Sequence, residues 1–537
     1  MKKTLSTLLT CVMFLALLIP CAVGLAEGSA EIVDGRFVET RKITVEVYDR
    51  NNDGGTTPED NFYANFIKEG MLRDHNVEVT FVPVGRWTED TDINNLLAAG
   101  NAPDVCVTYN YPAIQTYANM GGVIDLAPLV EEYKDLLPNL WGLLGDTNIN
   151  WNKDPDTGTI WALEARLNNN QRINTFVRED WLKALGLEEP ATIEEFEAML
   201  YAFKDNAELL LGDDADKMIP FSTSFDVGWR ANHLTAAFVP SDTTDKDFYA
   251  HGFDDRQLTY PGYKGAIQKL NEWYNAGLMW NDFALYGEGD KTEDNLLKMG
   301  YVGSFIHNWD YPYRDGEEGV HFNLHKNVGE DAAYIAVAAF QNDAGEYRKF
   351  LANPIDRKVF LPHTNTEPVA SLLYLDWIAT FENRFFLQLG EEGVTHEVLE
   401  DGTYKTIAAT GEKIMNSQFN IDYTIVINGL DVGSPEETSR AIAQGYGFVD
   451  ARFIEKAFVT SVKDGYVVPH VNVGEIKAEE GMGTPLKEKR DALYAQAVTA
   501  PVDQFDAVWD AGMADYLATG GQAIIDERLA AYEKFYE

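Results

Sequence analysis

Aromatic and hydrogen-bonding side chains follow the ends of several predicted strands, where they could bind a small ligand. Tyr109, Asn110 and Tyr111 come directly after the apolar run from Val105 to Val107. Aromatic rings stack on the C–H faces of sugars, while acids, amides and arginines bond pairs of sugar hydroxyls. These residue types suit a ligand such as a sugar, and their positions predict a ligand-binding site, because open α/β sheets bind their ligands at strand ends. The candidate ligand-binding residues are Tyr109, Asn110, Tyr111, Glu164, Arg166, Asp226, Trp229, Arg230, Trp309, Asp310 and Trp87.

Each candidate also has a plainer interpretation as a residue of the core or of its rim. Tyrosine and tryptophan are often largely buried, and most of the eleven tryptophans must be structural. Arg166 and Arg230 are equally interpretable as partners in surface ion pairs. No constellation typical of a catalytic centre is present, so no catalytic residue is predicted.

One loop resembles a calcium-binding loop. Asp49, Asn51 and Asp53 place oxygens at its positions 1, 3 and 5, Gly54 stands at position 6, and Asp60 stands at position 12. This nearly satisfies the EF-hand pattern, although that pattern has a bidentate glutamate at position 12 and an incoming helix rather than a strand. The sequence predicts no resident cofactor and leaves calcium at this loop as an alternative. The nine histidines show no zinc-binding spacing.

The order of predicted elements is typical of an α/β protein. Residues Ile43 to Tyr48 alternate with period two and predict a strand, a helix follows through Phe66, and Val77 to Val82 predict a second strand ended by Pro83. Strand, helix, strand, helix, strand is the opening of a doubly wound sheet. Thr192 and Glu195 form a capping box that starts an amphipathic helix.

The N-terminus has the pattern of a secretory signal peptide. Lys2 and Lys3 precede an apolar run that is too short to span a bilayer comfortably. Cleavage after Ala26 is expected, giving residues 1–26 as signal, and lipid attachment at Cys21 is the alternative. Cys106 is then the one cysteine of the mature chain, which excludes an intramolecular disulfide and predicts a small core residue.

The chain is strongly acidic and long enough for more than one core. Its 537 residues carry a formal charge of −43, and loss of residues 1–26, which contain two lysines and no acid, makes it −45. Such a chain repels nucleic acid and anionic membrane surfaces, so neither is an expected partner. The same charge weakly disfavours a polyanionic ligand.

Several passages resemble one known family in order and spacing. The stretch from Leu96 to Tyr133 includes Pro103-Asp104-Val105 and Ile124-Asp125-Leu126. It is similar to the PDI…YAxxGxLxDL passage of family 1 extracellular solute-binding proteins of ABC importers, in particular the larger oligosaccharide-type members of Gram-positive bacteria. Arg178 to Leu187 matches the family's R-x-DWL-x-x-LGL pattern. Further similar passages are Asn281 to Leu285, Gly390 to His396 and the tail from Trp509 to Tyr536.

This resemblance implies a periplasmic-binding-protein-like clamshell. Each lobe is expected to be a doubly wound sheet flanked by helices, with the ligand in the cleft at a hinge that the chain crosses more than once. Residues 41–130 and 262–340 are expected mainly in lobe 1, and residues 157–260 and 341–537 mainly in lobe 2, with C-terminal helices packed at the hinge. In relatives, the positions of Tyr109 to Tyr111, Glu164 and Trp309 contact sugar.

The resemblance also implies a function. The expected protein is the extracellular, cell-surface component of an ABC importer, a monomer without enzymatic activity that delivers a neutral oligosaccharide to the permease subunits. Two other functions stay open. A secreted glycoside hydrolase would use two of the many carboxylates, and a sensor would report sugar occupancy to a membrane kinase through the same cleft.

Overall fold

A computed structural model describes residues 31–51, 56–224, 226–254, 256–286, 290–447 and 449–536. The predicted signal peptide, with Cys21, and the calcium-loop residue Asp53 lie outside these residues. Within them, no helix is long and apolar enough to cross a membrane.

The strands are short and are distributed along most of the chain. In chain order they are β1 Ile32–Val33, β2 Arg36–Phe37, β3 Arg41–Asp49, β4 Val77–Gly85, β5 Cys106–Thr108, β6 Leu163–Leu167, β7 Ile173–Arg178, β8 Ile219–Ser222, β9 Val302–Asn308, β10 Tyr334–Val337, β11 Ile355–Phe360, β12 His396–Val398, β13 Tyr404–Thr406 and β14 Ile427–Asn428.

Helices separate most of these strands and close the chain. They are α1 Phe62–His75, α2 Glu89–Ala98, α3 Tyr111–Asn119, α4 Ala127–Glu132, α5 Pro138–Ile149, α6 Glu179–Leu185, α7 Ile193–Asp205, α8 Ala207–Leu211, α9 Val227–Arg230, α10 Asn232–Ala237, α11 Asp245–His251, α12 Tyr263–Asn275, α13 Thr292–Met299, α14 Val320–Asn327, α15 Pro368–Ala379, α16 Phe381–Leu389, α17 Pro435–Gln444, α18 Ala451–Val462, α19 Gly483–Thr499, α20 Phe505–Tyr516 and α21 Gln522–Tyr536.

Lobe 1 is built around a mixed sheet in the order β4-β3-β5-β11-β6-β14. Strands β3 and β4 are parallel over nine residue pairs, and Val45 of β3 bridges in parallel to Val105, the residue before β5. Strand β11 runs antiparallel between β5 and β6, and β14 is parallel to β6. The carboxyl ends of β4, β3, β5, β6 and β14 therefore share one edge of the sheet.

Strand β4 continues through Pro83 to Gly85, so the predicted end at Pro83 is wrong. Pro83 is in register with Val47, and β4 is the outermost strand of this sheet. Proline is tolerated on an edge strand because one side of that strand has no ladder to complete. The extension brings Arg86 and Trp87 to the carboxyl edge.

Lobe 2 has its own sheet, in the order β8-β9-β7-β10. Strands β8 and β9 are parallel, whereas β7 runs antiparallel to both β9 and β10. Helix α7 packs on this sheet with the predicted capping box, since Thr192 accepts from the backbone N–H of Glu195 and the Glu195 side chain returns to the N-cap. The predicted apolar stripe of α7 is buried except for the half-buried Ile193, and Phe196 and Phe203 are fully enclosed.

Two separate hydrophobic cores define the lobes and correct the predicted boundaries. Residues 262–340 were expected in lobe 1, yet Trp273 of α12 packs on Phe196 and Phe221 in the core of lobe 2, and β9 is an inner strand of its sheet. Residues 355–430, expected in lobe 2, supply β11, α15 and β14 to lobe 1. The physical reason is that β11 returns to fill the place between β5 and β6, which sequence order does not reveal.

Within the residues that the structure describes, the chain crosses between the lobes three times. Residues 168–172 join β6 to β7, and residues 349–354 return to β11; the N–H of Ala352 donates to the carbonyl of Asn170 at 3.1 Å, so these two crossings are bonded side by side. The third crossing passes through α17, where Ile442 packs with Leu430 of lobe 1 and Ala443 belongs to the core of lobe 2.

The C-terminal helices pack on lobe 2, where Leu493, Trp509 and Ile524 join the core. The segment before them reaches lobe 1, because the imidazole of His470 stacks on the indole of Trp151 with 3.7 Å between ring centroids. The carbonyl of Trp151 lies 2.9 Å from His470 Nε2. The helices themselves therefore belong to one lobe, and the chain that precedes them touches the other.

Candidate functional site

A cavity of about 640 Å³ lies where the carboxyl edges of the two sheets face each other beside the crossings. Lobe 1 and the first crossing contribute Leu167, Asn169, Gln418, Phe419, Ile421, Asn428 and Gly429. Lobe 2 and the third crossing contribute Trp309, Asp310, Tyr313, Arg314, Asp315, Gly316, Ile442, Gly445, Tyr446 and Gly447. The walls mix aromatic rings, amides and a few charges, which is the composition of a site for a polar ligand with apolar faces.

Trp309 and Asp310 are the predicted residues that the structure places in this wall. Trp309 follows the last residue of β9, and its backbone N–H donates to the carbonyl of Arg172 at 3.1 Å. Its carbonyl accepts from the Asn174 amide at 3.0 Å. The indole is half-buried and meets the rings of Tyr446 and Phe458 edge-on, at 6.5 and 5.8 Å between centroids. One face of the indole is therefore held by packing in a fixed orientation.

Asp310 is buried and is bonded from two sides. The Tyr446 hydroxyl donates to its carboxylate at 2.5 Å, and Arg314 Nε donates at 2.6 Å. Burial, followed by the charge and hydrogen bond of Asp310, raises the pKa of Tyr446, so the hydroxyl keeps its proton. Asp310 thus organises this wall rather than standing free, and Tyr446 and Arg314 are site residues that sequence reasoning missed.

Phe419 lines the cavity in a strained backbone conformation. Its φ is 56° and that of Asn420 is 48°, in the left-handed region that bulky residues rarely adopt. Asn420 is fully buried; its amide donates to the carbonyl of Leu387 at 2.8 Å, and its side-chain oxygen accepts from the N–H of Asn416 at 2.9 Å. These bonds fix the turn and hold the Phe419 ring in the wall, and such strain is common at binding sites.

Side-chain amides line the cavity on the side next to the crossings between the lobes, which form the hinge. Asn168, in the first crossing, donates its side-chain amide to the carbonyl of Leu430. Gly429 has a φ of 101°, and a Cβ there would lie 2.8 Å from the Asn169 amide nitrogen, so glycine is required for the close approach. Asn169, Asn428 and Gln418 supply donors and acceptors to the cavity.

The Tyr109 to Tyr111 group lies on the carboxyl edge of lobe 1, outside the cavity wall. The Tyr109 ring is half-buried and lies 4.4 Å from the Arg86 guanidinium. Asn110 caps helix α3, accepting from the N–H of Ala113 at 3.2 Å. The Tyr111 hydroxyl donates to the carbonyl of Asn152 at 3.3 Å. Of the three side chains, Asn110 thus has a structural role as a helix cap.

Glu164 and Arg166 occupy neighbouring places on β6. The Glu164 carboxylate is buried, accepts from the Asn152 amide at 2.7 Å and lies 3.4 Å from Lys358 Nζ. Burial raises the pKa of Glu164, against the opposing charge of Lys358. Arg166 is half-buried, and among the described residues its guanidinium has no ion-pair or hydrogen-bond partner. Neither residue lines the main cavity.

Arg230 and Asp226, two of the predicted ligand contacts, have structural roles in lobe 2. Arg230 was a candidate ligand contact or surface ion-pair partner, but it is 1% exposed and bonds Glu293 at 2.9 Å and the Ser224 hydroxyl at 2.7 Å. Asp226 caps α9 and pairs with Arg256 at 2.7 Å. The contact prediction for Arg230 is therefore wrong, because its charge is neutralised inside lobe 2 by a residue 63 positions away.

Trp229 and Trp87 differ in their surroundings. Trp229 is half-buried and meets His307 edge-on at 4.9 Å between ring centroids. Trp87, by contrast, is 79% exposed, and the Arg86 guanidinium lies 5.0 Å from its ring centroid. Neither lines the cavity.

The calcium loop is described only in part. Asp49 accepts from the N–H of Asn51 at 2.8 Å, and Asp60 accepts from the Asn65 amide at 3.2 Å. In the described part of the chain, no group of three or more histidine, cysteine, aspartate or glutamate side chains is arranged to hold a metal ion.

Comparison with known proteins places this geometry in a recognised fold. No protein-family model matches the sequence. The lipoprotein LipO of Bacillus subtilis is 27% identical over 237 residues, which is 43% of this chain and 43% of the relative, so the match spans less than half the length of that relative.

Solved structures match over nearly the whole chain. An HMO-binding ABC-transporter-associated solute-binding protein of Bifidobacterium longum infantis has a TM-score of 0.60 at 16% identity, covering 93% of this chain and 99% of that one. The substrate-binding protein FusA of Streptococcus pneumoniae, in complex with kestose, has 0.57 at 13%, covering 92% and 99%. The N-glycan transport protein NgtS of Streptococcus pneumoniae has 0.54 at 14%, covering 92% and 99%. The chain has the two-lobed fold of these solute-binding proteins, which confirms the predicted fold.

Proposed function

We propose that this protein is the extracellular substrate-binding component of an ABC importer and captures a carbohydrate, in particular a neutral oligosaccharide, between its two lobes. The observation that carries the proposal is the cavity at the hinge, whose wall combines the fixed indole of Trp309 with the Phe419 ring and the amides of Asn169 and Gln418. Rings that stack on sugar faces and amides that bond paired hydroxyls recognise sugars without chemical transformation.

The charges in the wall favour a neutral ligand. Asp310 and Arg314 neutralise each other, and Asp315 adds one further negative charge to the lining. A polyanionic sugar would meet this carboxylate without a spare cation in the cavity wall, and the whole chain is strongly acidic. Hydroxyl groups, in contrast, can donate to the Asp315 carboxylate and accept from the amides.

The mechanism follows from where the ligand lies. A sugar that contacts Trp309 on lobe 2 and Phe419 on lobe 1 bridges both lobes, so it stabilises the closed arrangement over the open one. Micromolar binding corresponds to about 8 kcal/mol, which stacked rings and paired hydrogen bonds supply after the cost of association. The permease would then recognise the closed pair of lobe surfaces.

Location and partners follow from the same proposal. The predicted secretory signal, with the partial similarity to a lipoprotein, supports a protein that is secreted or lipid-anchored at Cys21. In this proposal it acts as a monomer beside the permease subunits. Binding, release and closure require no catalytic residue, so the proposal assigns no enzymatic activity.

The test is a thermal-shift screen of residues 27–537 against neutral and acidic oligosaccharides, followed by calorimetry on each hit. We expect a concentration-dependent rise in melting temperature with one neutral sugar class and no hydrolysis products by chromatography. Product formation would indicate the glycoside hydrolase instead, and no shift with any sugar would contradict the carbohydrate assignment.

Calcium binding is tested in a separate set of thermal-shift measurements. If the loop from Asp49 to Asp60 binds calcium, addition of calcium raises the melting temperature without sugar, and Asp49→Asn removes that rise. An unchanged melting temperature at millimolar calcium would remove the ion from the proposal.

A further inference from the structure

We propose that Trp87 forms an outer subsite of the ligand-binding site, which takes the far end of an oligosaccharide and makes the protein select long ligands over short ones. This inference rests on the proposed function and extends it from the cavity at the hinge to the opposite end of the lobe 1 sheet. It is carried by the strand order, by the groups along the edge and by the exposure of one indole.

The carboxyl edge of lobe 1 forms a continuous row of sugar-binding residue types. From the hinge outward, the row contains Asn169 after β6, Asp356 at the start of β11, Tyr109 after β5, Arg50 after β3 and Trp87 after β4. The first four side chains are half-buried and Trp87 is exposed. Because β6 and β4 are four strands apart, this row is about 19 Å long.

Arg86 fixes the outer end of the row. Its guanidinium lies 4.4 Å from the ring centroid of Tyr109, 5.1 Å from that of Tyr48 and 5.0 Å from that of Trp87. Glu89 holds it with an ion pair of 3.0 Å. Three cation–π contacts and a carboxylate therefore orient the arginine, and the arginine in turn supports the exposed indole.

The exposure of Trp87 is unusual for its position. At 79% it has the highest exposure of the large apolar residues that the structure describes, although the neighbouring edge residues are half-buried. A ligand that covers the indole gains the free energy of burying its apolar surface. A sugar ring that extends from the cavity along the row meets this face at its end, whereas a single sugar unit beside Trp309 does not reach it.

The experiment measures affinity against ligand length. Isothermal titration calorimetry of wild type, Trp87→Ala and Trp309→Ala uses malto-, xylo- and fructo-oligosaccharides of two to six units. Leu209→Ala is the matched control, because Leu209 is 68% exposed but precedes β8 and so lies at the edge of lobe 2 away from the cleft. Melting temperatures verify that all variants fold.

One of the three oligosaccharide series is expected to bind the wild type. For that series, we expect Trp87→Ala to weaken the affinity for the four- to six-unit sugars by about five-fold or more. The affinity for the two-unit sugar should change by less than about two-fold. Trp309→Ala should weaken all lengths and Leu209→Ala none. A Trp87→Ala effect that is absent, or equal at every length, would overturn the outer subsite while leaving the proposed function intact. If the wild type binds none of the three oligosaccharide series, the result would contradict the proposed function and the subsite together.

Discussion

The Tyr446 hydroxyl donates a 2.5 Å hydrogen bond to the buried carboxylate of Asp310. Asp310 follows β9, and Tyr446 follows α17, so the bond ties the end of a core strand to the third crossing between the lobes. A contact between residues 136 positions apart therefore helps to fix the position of this cavity wall.

Tyr446→Phe tests that contact. The substitution removes one donor from a buried carboxylate, and we expect a loss of about 1–3 kcal/mol in the free energy of unfolding together with weaker ligand binding. Urea denaturation and calorimetry measure the two effects. Tyr404→Phe is the control, because the Tyr404 hydroxyl makes no side-chain hydrogen bond among the described residues; equal losses in the two variants would contradict the role of Asp310.

Trp309→Ala should weaken binding of the ligand by at least about 1 kcal/mol, since the indole supplies a face to the cavity. It also removes edge contacts with Tyr446 and Phe458, so a modest loss of stability accompanies it. Phe458→Leu separates the two effects: Phe458 packs on Trp309 but does not line the cavity, and we expect reduced stability with retained affinity. Unaltered affinity of Trp309→Ala would remove Trp309 from the site.

Phe419→Asn tests whether strain is maintained for binding. Asparagine tolerates a φ of 56° better than phenylalanine does, so the free energy of unfolding should stay within about 1 kcal/mol of wild type. The ring is lost from the cavity, and the dissociation constant of the sugar should rise several-fold. A strongly destabilised variant would indicate that the Phe419 ring serves packing instead.

Lys349 gives the protein a specific pH dependence. It is 3% exposed, and burial, followed by the charge of Lys463, lowers its pKa from 10.5 to about 7 against the opposing charge of Asp464. The unfolded chain therefore binds more protons than the folded one between these values, so stability rises as the pH increases from about 7 to about 10.5, and the penalty is fully present below pH 7.

Lys349→Met removes this penalty. At pH 6 we expect the variant to be more stable than wild type by about 2–5 kcal/mol, and the gap should shrink by pH 9. Urea titrations at several pH values measure it, with the exposed Lys326→Met as control. A gap that does not change with pH would show that Lys349 is charged in the folded protein throughout.

The sequence predicts those features that depend on neighbouring residues. The Thr192–Glu195 capping box, the strand from Ile43 and the placement of Trp309 after a buried strand all follow from local pattern. The Arg230–Glu293 pair shows what a local pattern cannot predict. Arg230 follows a strand, as a ligand contact would, but the fold brings the distant Glu293 to it as a partner. Tyr446 and Phe419 lie in turns of the C-terminal third, where no periodic signal marks them.

The predicted domain boundaries are wrong for a related reason. Helix α12 and strand β9 carry ordinary core patterns that suit either lobe, and their partners Phe196 and β7 are distant in sequence. Composition cannot assign a buried segment to one of two similar cores. The strand order of each sheet, and with it the lobe membership, is decided by contacts that no local pattern encodes.

The position of β11 between β5 and β6 has a consequence for how the protein forms during synthesis. The first half of lobe 1 is made early, yet its sheet lacks an inner strand until residue 360 has left the ribosome, after most of lobe 2 has been made. Pairings between strands so distant in sequence form slowly. The exposed flanks of β5 and β6 are meanwhile open to wrong pairing. Delayed completion of this sheet delays the folding of lobe 1, which suits a polypeptide that is predicted to carry an export signal at its N-terminus.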